Sequence, residues 1–263
     1  MTGADLGAVL LVGGLAGFVG ALLGLGGGVF IVPLLTLGLG VPVQEAAATS
    51  LVCVLATSAS GSLALDARRL VDLRVVTELE VTMILGAVAG GLLAPRLPAA
   101  AIATLFAAAA LVSAGRLLRR ALAYTPGASD PQGPVATGAR APVGPLALGL
   151  SSLAGVMSGL LGIGGGPLQV PLMTEVMKLP PIVAFATSNV MIGITAAAST
   201  SVYLSLGLVR ADLVPACALA TALGAFAGGR LAPRLRTRPL LVVFAVVLSY
   251  LALRMAWSSW RAA

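Results

Sequence analysis

The strongest constraint on the fold is an internal repeat. A shift of 138 residues lays GLAGFVGALLGLGGGVFIVPLL (14–35) on SLAGVMSGLLGIGGGPLQVPLM (152–173), with 12 of 22 positions identical. The same shift carries Ala48-Thr49-Ser50 onto Ala186-Thr187-Ser188 and AVAGGLLAPRL (87–97) onto AFAGGRLAPRL (225–235). A chain rich in Ala and Leu matches itself by chance at Ala and Leu. It does not hold one register of Gly, Pro and Arg across most of each half, so the sequence reads as a duplicated unit.

Composition says what kind of unit. Hydrophobic residues make up 59% of the chain and charged residues 10%, with a mean hydropathy of +1.06, where a soluble domain carries about 25% charge. This excludes a soluble fold and predicts an all-α integral membrane protein. A spanning helix needs about 20 mainly apolar residues, and apolar segments fall near 6–39, 44–65, 75–94, 99–118, 143–178, 182–206, 213–231 and 239–257. The expectation is about eight transmembrane segments, four in each repeat. The first and fifth are too long for one crossing. Each contains a glycine cluster, Gly24-Leu25-Gly26-Gly27-Gly28 or Gly162-Ile163-Gly164-Gly165-Gly166, which predicts a glycine-broken helix in each repeat. The polar stretch 119–142, with its Pro, Gly and Ser, reads as an exposed linker between a first repeat over 1–118 and a second over 143–263. Met1 to Asp5 lacks the positive start of a cleaved signal, so the first apolar run is expected to stay in the protein.

Span number decides the symmetry. Four crossings per half make the repeats parallel about an axis along the membrane normal, with the sixteen basic residues divided ten to six toward the side of both termini and the linker. If both glycine breaks reverse the chain, the repeats are inverted and the division becomes twelve to four, on the side opposite the C-terminus. Val29 to Gly40 is only twelve residues, too short to cross, so the eight-span parallel arrangement is the expectation.

Several function classes drop out. With no His, the commonest general base and transition-metal ligand is missing, and zinc-hydrolase, haem and Ser-His-Asp chemistry lose their usual parts. No enzyme, metal site or cofactor is expected. Cys53 and Cys217 lie far apart in apolar stretches without ligand spacing and read as buried, inert thiols. The net charge of +7 sits mostly between apolar runs. It suits lipid headgroups rather than nucleic acid, because no basic stripe interleaves with aromatics.

The breaks carry the chemistry. A helix that starts inside the membrane presents unpaired N–H groups and the positive end of its dipole. Glycines let those groups approach a ligand, so the arrangement suits an anion. Gly26, Gly27, Gly28, Gly164, Gly165 and Gly166 are candidate lining positions on this ground. Glycine spacings such as Gly86-xxx-Gly90 are explained by close helix packing. Within the apolar runs, the repeated pairs Thr49-Ser50 and Thr187-Ser188, with Gln169 and Asn189, offer hydroxyls and amides that can donate to an anion without a permanent counter-charge. Glu45 and Glu175 are read as helix-end carboxylates, and Arg96 and Arg234 as headgroup anchors.

These residues resemble a known family. The duplicated LxGxxxGLLGLGGGxxxVPLL-type motif, the following Ala-Thr-Ser and the repeated Gly-Gly-x-Leu-Ala-Pro-Arg-Leu look like the sulfite exporter TauE/SafE family of membrane transporters. The resemblance covers nearly the whole chain outside the linker. It implies a multi-pass permease of the cell inner membrane, moving sulfite, sulfoacetate or other sulfur-containing organic and inorganic anions. Val29 and Ile31 correspond to Pro167 and Gln169, which favours one asymmetric site, lined by the candidates above, over two equivalent ones. Alternating access around that site is the expected cycle. The expected partners are a small anionic substrate and the lipid bilayer, with proton or cation coupling required for uptake, no nucleic acid, and a homo-oligomer compatible with the sequence. A small-anion channel and a carboxylate transporter are the competing readings.

Overall fold

A computed structural model describes residues 3–23, 26–64, 70–123, 143–231 and 237–262. Among them the secondary structure is helical throughout: α1 (Gly3–Leu23), α2 (Gly28–Leu39), α3 (Val43–Ala64), α4 (Leu73–Leu93), α5 (Ala99–Ala123), α6 (Pro145–Leu161), α7 (Gly166–Pro171), α8 (Pro181–Ser205), α9 (Val214–Leu231) and α10 (Thr237–Ala262). A single 3-10 turn, Ala94–Arg96, follows α4, and a π-helical turn, Leu172–Val176, continues α7. Most of the linker, with Gly24, Leu25 and Arg234, lies outside the described residues.

Both long apolar runs break at their glycines, separating α1 from α2 and α6 from α7. This changes the expected count of spans. Six helices are long and apolar enough to cross a membrane, over Val43–Leu63, Leu73–Arg96, Ala99–Arg119, Val183–Ser205, Val214–Leu231 and Leu241–Ser258. The apolar stretches Gly7–Leu22, Gly28–Leu39 and Pro145–Leu161 are shorter. Eight comparable crossings therefore do not follow from helix length.

The halves interlock. The first helix of each packs along the fourth helix of the other, α1 on α9 and α6 on α4, while α3 packs on α8 and α5 on α10. Residue pairs give the directions. Gly13 meets Cys217, Gly17 meets Thr221 and Phe18 meets Gly228, so α1 and α9 run the same way. Met83 with Gly155 and Ala87 with Gly159 make α4 and α6 parallel. Thr195 bonded to Glu80, and Val202 against Gly91, align α8 with α4. Thr49 hydrogen-bonded to Arg210, and the free Cys53 thiol against the Cys217 thiol, align α3 with α9. Along the α3–α8 contact, however, Asn189 bonds Ser62 while Gly193 lies back at Ser58. Those two helices are antiparallel. Thus α1, α3 and α9 point one way and α4, α6 and α8 the other. Helices related by the 138-residue shift, α1 and α6, α3 and α8, α4 and α9, fall in opposite sets.

Small residues make the interlock possible. A Cβ on Gly17, Gly224 or Gly228 would collide with a backbone carbonyl across α1 and α9, and one on Gly86, Gly90, Gly155 or Gly159 would do so across α4 and α6. In lipid, helix association relies on such close van der Waals packing because apolar side chains gain little from leaving the hydrocarbon. The outer faces keep large apolar side chains, among them Leu85, Leu153, Leu223 and Val246, each more than half exposed. The half-helices end alike. Gly40, at φ 65°, closes α2, with the Val41 N–H donating to the Leu35 carbonyl at 3.2 Å; Lys178, at φ 57°, closes the second unit, with Leu179 donating to Met173 at 2.9 Å. Both are Schellman-type ends. The two cysteines, distant in sequence, are buried in contact with one another between α3 and α9.

Gly155→Ala should lower the stability of the purified protein by about 1–3 kcal/mol through overpacking. Gly149→Ala, on the same helix with nothing within 4 Å, should be neutral or stabilising. Thermal unfolding in detergent compares the two.

Candidate functional site

The two breaks meet at the centre of the fold. Gly26 and Gly27 have φ of 73° and 79°, and Gly164 and Gly165 both 76°, a region that L side chains avoid, so these turns need glycine. The Gly27 carbonyl accepts from the N–H groups of Phe30 (3.0 Å) and Ile31 (3.1 Å), and the Gly165 carbonyl from those of Leu168 and Gln169 (both 3.1 Å). Each half-helix thus starts at its break. The N–H groups of Gly28 and Val29 precede the first bond within α2 and point outward from it. In α7, Pro167 takes an early position at which a missing N–H costs nothing.

Gly28 abuts the Gly162 carbonyl and Ile163 Cα, so one break touches the other. Gly26 and Gly164 both lie against the side chains of Val54 on α3 and Ile192 on α8, themselves related by the repeat. The described break residues, 26–28 and 162–166, are all buried.

The polar candidates surround this contact unequally. Ser50 donates to the Gly162 carbonyl at 2.9 Å, tying α3 to the second break. Its sequence equivalent, Ser188, donates instead to Phe185 in its own helix at 3.2 Å. Thr49 and Thr187 behave as a related pair: Thr49 Oγ1 accepts from the Arg210 N–H at 3.2 Å and Thr187 Oγ1 from the Asp72 N–H at 2.9 Å. Each anchors the entry to the fourth helix of the opposite half. Asn189 donates to the Ser58 carbonyl (3.1 Å) and to Ser62 Oγ (2.9 Å), and Ser58 donates to the Asn189 carbonyl, so these groups hold α3 to α8. Gln169 is fully buried with its amide nitrogen on Met83 Sδ and its Oε1 without a hydrogen-bond partner.

Two charged residues absent from the sequence candidates enter here. Glu80, inside α4 and only 6% exposed, accepts from Thr195 Oγ1 at 2.8 Å through Oε1, while Oε2 has no partner. Arg116 on α5 reaches the Pro167 carbonyl in the first turn of α7 at 3.1 Å. The available signal was their position within apolar segments, where charge is costly; the partners that make them meaningful are remote in sequence. The helix-end groups are simpler. Glu45 pairs with Arg210 at 3.4 Å, and Arg210 also binds Asp212 at 2.8 Å, holding that carboxyl below its usual range. Glu175 is exposed, and Arg96 folds back onto the Leu92 carbonyl.

Comparison with known proteins fits this architecture. The family model for the sulfite exporter TauE/SafE matches residues 9–255. The chain belongs to the sulfite exporter TauE/SafE family. It is 30% identical over 256 residues to a "Probable membrane transporter protein" of Xylella fastidiosa (strain 9a5c), covering 94% of each chain. It is 27% identical over 264 residues to "Probable membrane transporter protein YunE" of Bacillus subtilis (strain 168), covering 91% of this chain and 93% of the relative. A 106-residue stretch is 31% identical to "Sulfite exporter TauE/SafE family protein 6" of Arabidopsis thaliana, covering 39% of this chain and 24% of the relative. No solved structure matches. Family and helices together make this a multi-pass membrane transporter of the TauE/SafE family, which is a transporter rather than an enzyme family.

Ser50→Ala should cost about 1–3 kcal/mol by leaving the buried Gly162 carbonyl without its donor. Ser188→Ala should cost clearly less, although the two serines occupy equivalent positions in the repeat; thermal melts of the two variants measure the difference.

Proposed function

We propose that the protein moves small oxyanions across the bacterial inner membrane by alternating access around the contact between its two glycine breaks. The observation that carries this reading is the contact of the two glycine breaks, Gly28 against Gly162 and Ile163, with Gly26 and Gly164 both against Val54 and Ile192, within one buried centre. Backbone N–H groups there, the Gln169 amide and the Arg116 guanidinium form a donor set of the kind that replaces the water around an anion.

A six-crossing topology fits this site better than eight crossings. The twelve residues of α2 extend about 18 Å, and the eleven steps from Val43 to Val54 on α3 about 17 Å. The first break then lies level with the middle of α3, and α1–α2 enters and leaves on one face. By the same reasoning α6–α7 enters from the opposite face. α3, α4, α5, α8, α9 and α10 cross, three per half, which makes the repeats inverted and divides the basic residues twelve to four. The richer side, bearing the linker, is cytoplasmic.

Sulfur-containing oxyanions, sulfite and sulfonates such as sulfoacetate, are the favoured substrates because the family carries that name and the donors suit a tetrahedral or pyramidal oxyanion. Carboxylates would use the same donors. Burial of the described break residues, 26–28 and 162–166, favours a gated transporter over an open anion channel. An uncoupled anion would be driven outward by a negative-inside potential, at about 2.3 kcal/mol per charge per 100 mV.

Thermal stabilisation of the purified protein by sulfite, sulfoacetate, acetate and malonate tests the assignment. A ligand of the folded form at 100 times its Kd adds about 2.7 kcal/mol. Saturable stabilisation by the sulfur anions, weakened by Arg116→Gln, is expected. Saturable stabilisation by carboxylates alone would reassign the substrate, and flux through vesicles that does not saturate with any of these anions would favour a channel.

A further inference from the structure

We propose that Glu80 is the proton-binding residue of the transport cycle, taking up and releasing one proton at Oε2 while Thr195 holds Oε1. The inference rests on the transporter reading and deepens it by naming the coupling ion and its site.

The surroundings of Glu80 point to an ion that comes and goes. Its carboxyl group is buried against Thr195 of α8, and α4 packs on both α6 and α8, which in turn contact α7. Besides Glu80 Oε2, four further buried oxygens on these helices lack a hydrogen-bond partner: Gln169 Oε1, Ser158 Oγ, Ser199 Oγ and Thr200 Oγ1. Unpartnered buried acceptors are rare in folded proteins and call for an explanation at each occurrence. A proton on the carboxyl group turns one acceptor into a donor and removes the charge together.

Among the described residues no permanent cation does that work. α6, α7 and α8 carry no charged side chain. Tyr203 on α8 donates to the Gly159 carbonyl at 2.7 Å, and Glu175 on the π-helical turn is exposed. On α4 itself, Arg74 is paired with Glu78 at 2.7 Å, and Asp72 stands at the helix start; Arg96, on the 3-10 turn beyond the other end, bonds Leu92.

The repeat supplies an internal control. In the related interface of the other half, the shift of 138 residues replaces Glu80 by Ala218, Gln169 by Ile31, Ser158 by Gly20 and Ser199 by Gly61. Thr195 becomes Thr57, which bonds its own helix at Cys53. The same helix packing is therefore built without a carboxyl group, so Glu80 is not required by the architecture. It is placed beside the anion site instead. Met83, one turn along α4, contacts Gln169, and a Cβ on Gly165 would touch both Met83 and Ser158. A proton held here and a monovalent oxyanion at the breaks can cross together without moving net charge.

Infrared difference spectra between acid and alkaline pH, taken on the protein in lipid nanodiscs, test the protonation without a substrate. The expected result is a protonated-carboxyl band that titrates, shifts in Thr195→Val and disappears in Glu80→Gln. A titrating band indifferent to both substitutions, or a Glu80 carboxylate band that responds to sodium or potassium at fixed pH and not to pH, overturns the proposal. The coupling is read in proteoliposomes with radiolabelled sulfite. Glu80→Gln should retain sulfite exchange at equal pH and lose at least tenfold in accumulation driven by a pH gradient. Accumulation equal to that of the unsubstituted protein rejects the coupling. If the unsubstituted protein neither exchanges nor accumulates sulfite, the substrate reading fails, while the infrared bands still decide whether Glu80 carries a proton.

Discussion

Backbone that leaves the helical conformation inside a bilayer needs cover from other protein, because hydrocarbon offers nothing to its N–H and carbonyl groups. The fold is organised around that requirement. Two breaks occur in the chain, and each is covered partly by the other: Gly28 rests on Gly162 and Ile163, and Gly26 and Gly164 share Val54 and Ile192. Only glycine permits this approach, both through its positive φ and through the absence of a Cβ. The same backbone groups that need cover are those able to hold an anion, so the structural demand and the proposed binding site coincide.

The cross-packing of the halves follows from bringing the breaks together. α1 leans on α9 and α6 on α4 through backbone-to-backbone contacts that even a methyl group would disrupt. Thr49 and Thr187 then fix the entry to the fourth helix of the opposite half. Each half completes the other. Between the halves the side chains are unequal: Ser50 bonds the opposite break where Ser188 bonds its own helix, and Gln169 and Glu80 correspond in the repeat to apolar Ile31 and Ala218. The polar side chains around the breaks are thus distributed unequally between the halves.

Much of this was legible in the sequence. The register of glycines and prolines revealed the repeat and located both breaks, since glycine clusters in apolar runs have a local meaning. Gly86 and Gly90 read correctly as packing positions. Chain direction was not legible, because an apolar run of a given length looks the same whether it crosses or turns back. The twelve residues of α2 are too short to cross, and in the proposed six-crossing topology they return from the centre. The partners of Thr49 and Thr187, Arg210 and Asp72, are more than a hundred residues away, beyond any local reading. Glu80 sat unremarked near the start of an apolar segment. Only the fold brings Thr195 to it and leaves its other oxygen without a partner. Contact between Cys53 and Cys217 was likewise beyond any spacing rule.

The most direct test of this architecture is the sidedness of Gly40 and Lys178, equivalent and exposed positions that end the two half-helix units. Gly40→Cys and Lys178→Cys would be made singly in a background carrying Cys53→Ala and Cys217→Ala, and labelled in oriented membrane vesicles with a thiol reagent that does not cross the bilayer. Inverted repeats with two re-entrant helix pairs require the two positions to label from opposite sides, with Lys178→Cys on the cytoplasmic face. Labelling of both from the same side would contradict that arrangement and restore a parallel duplication.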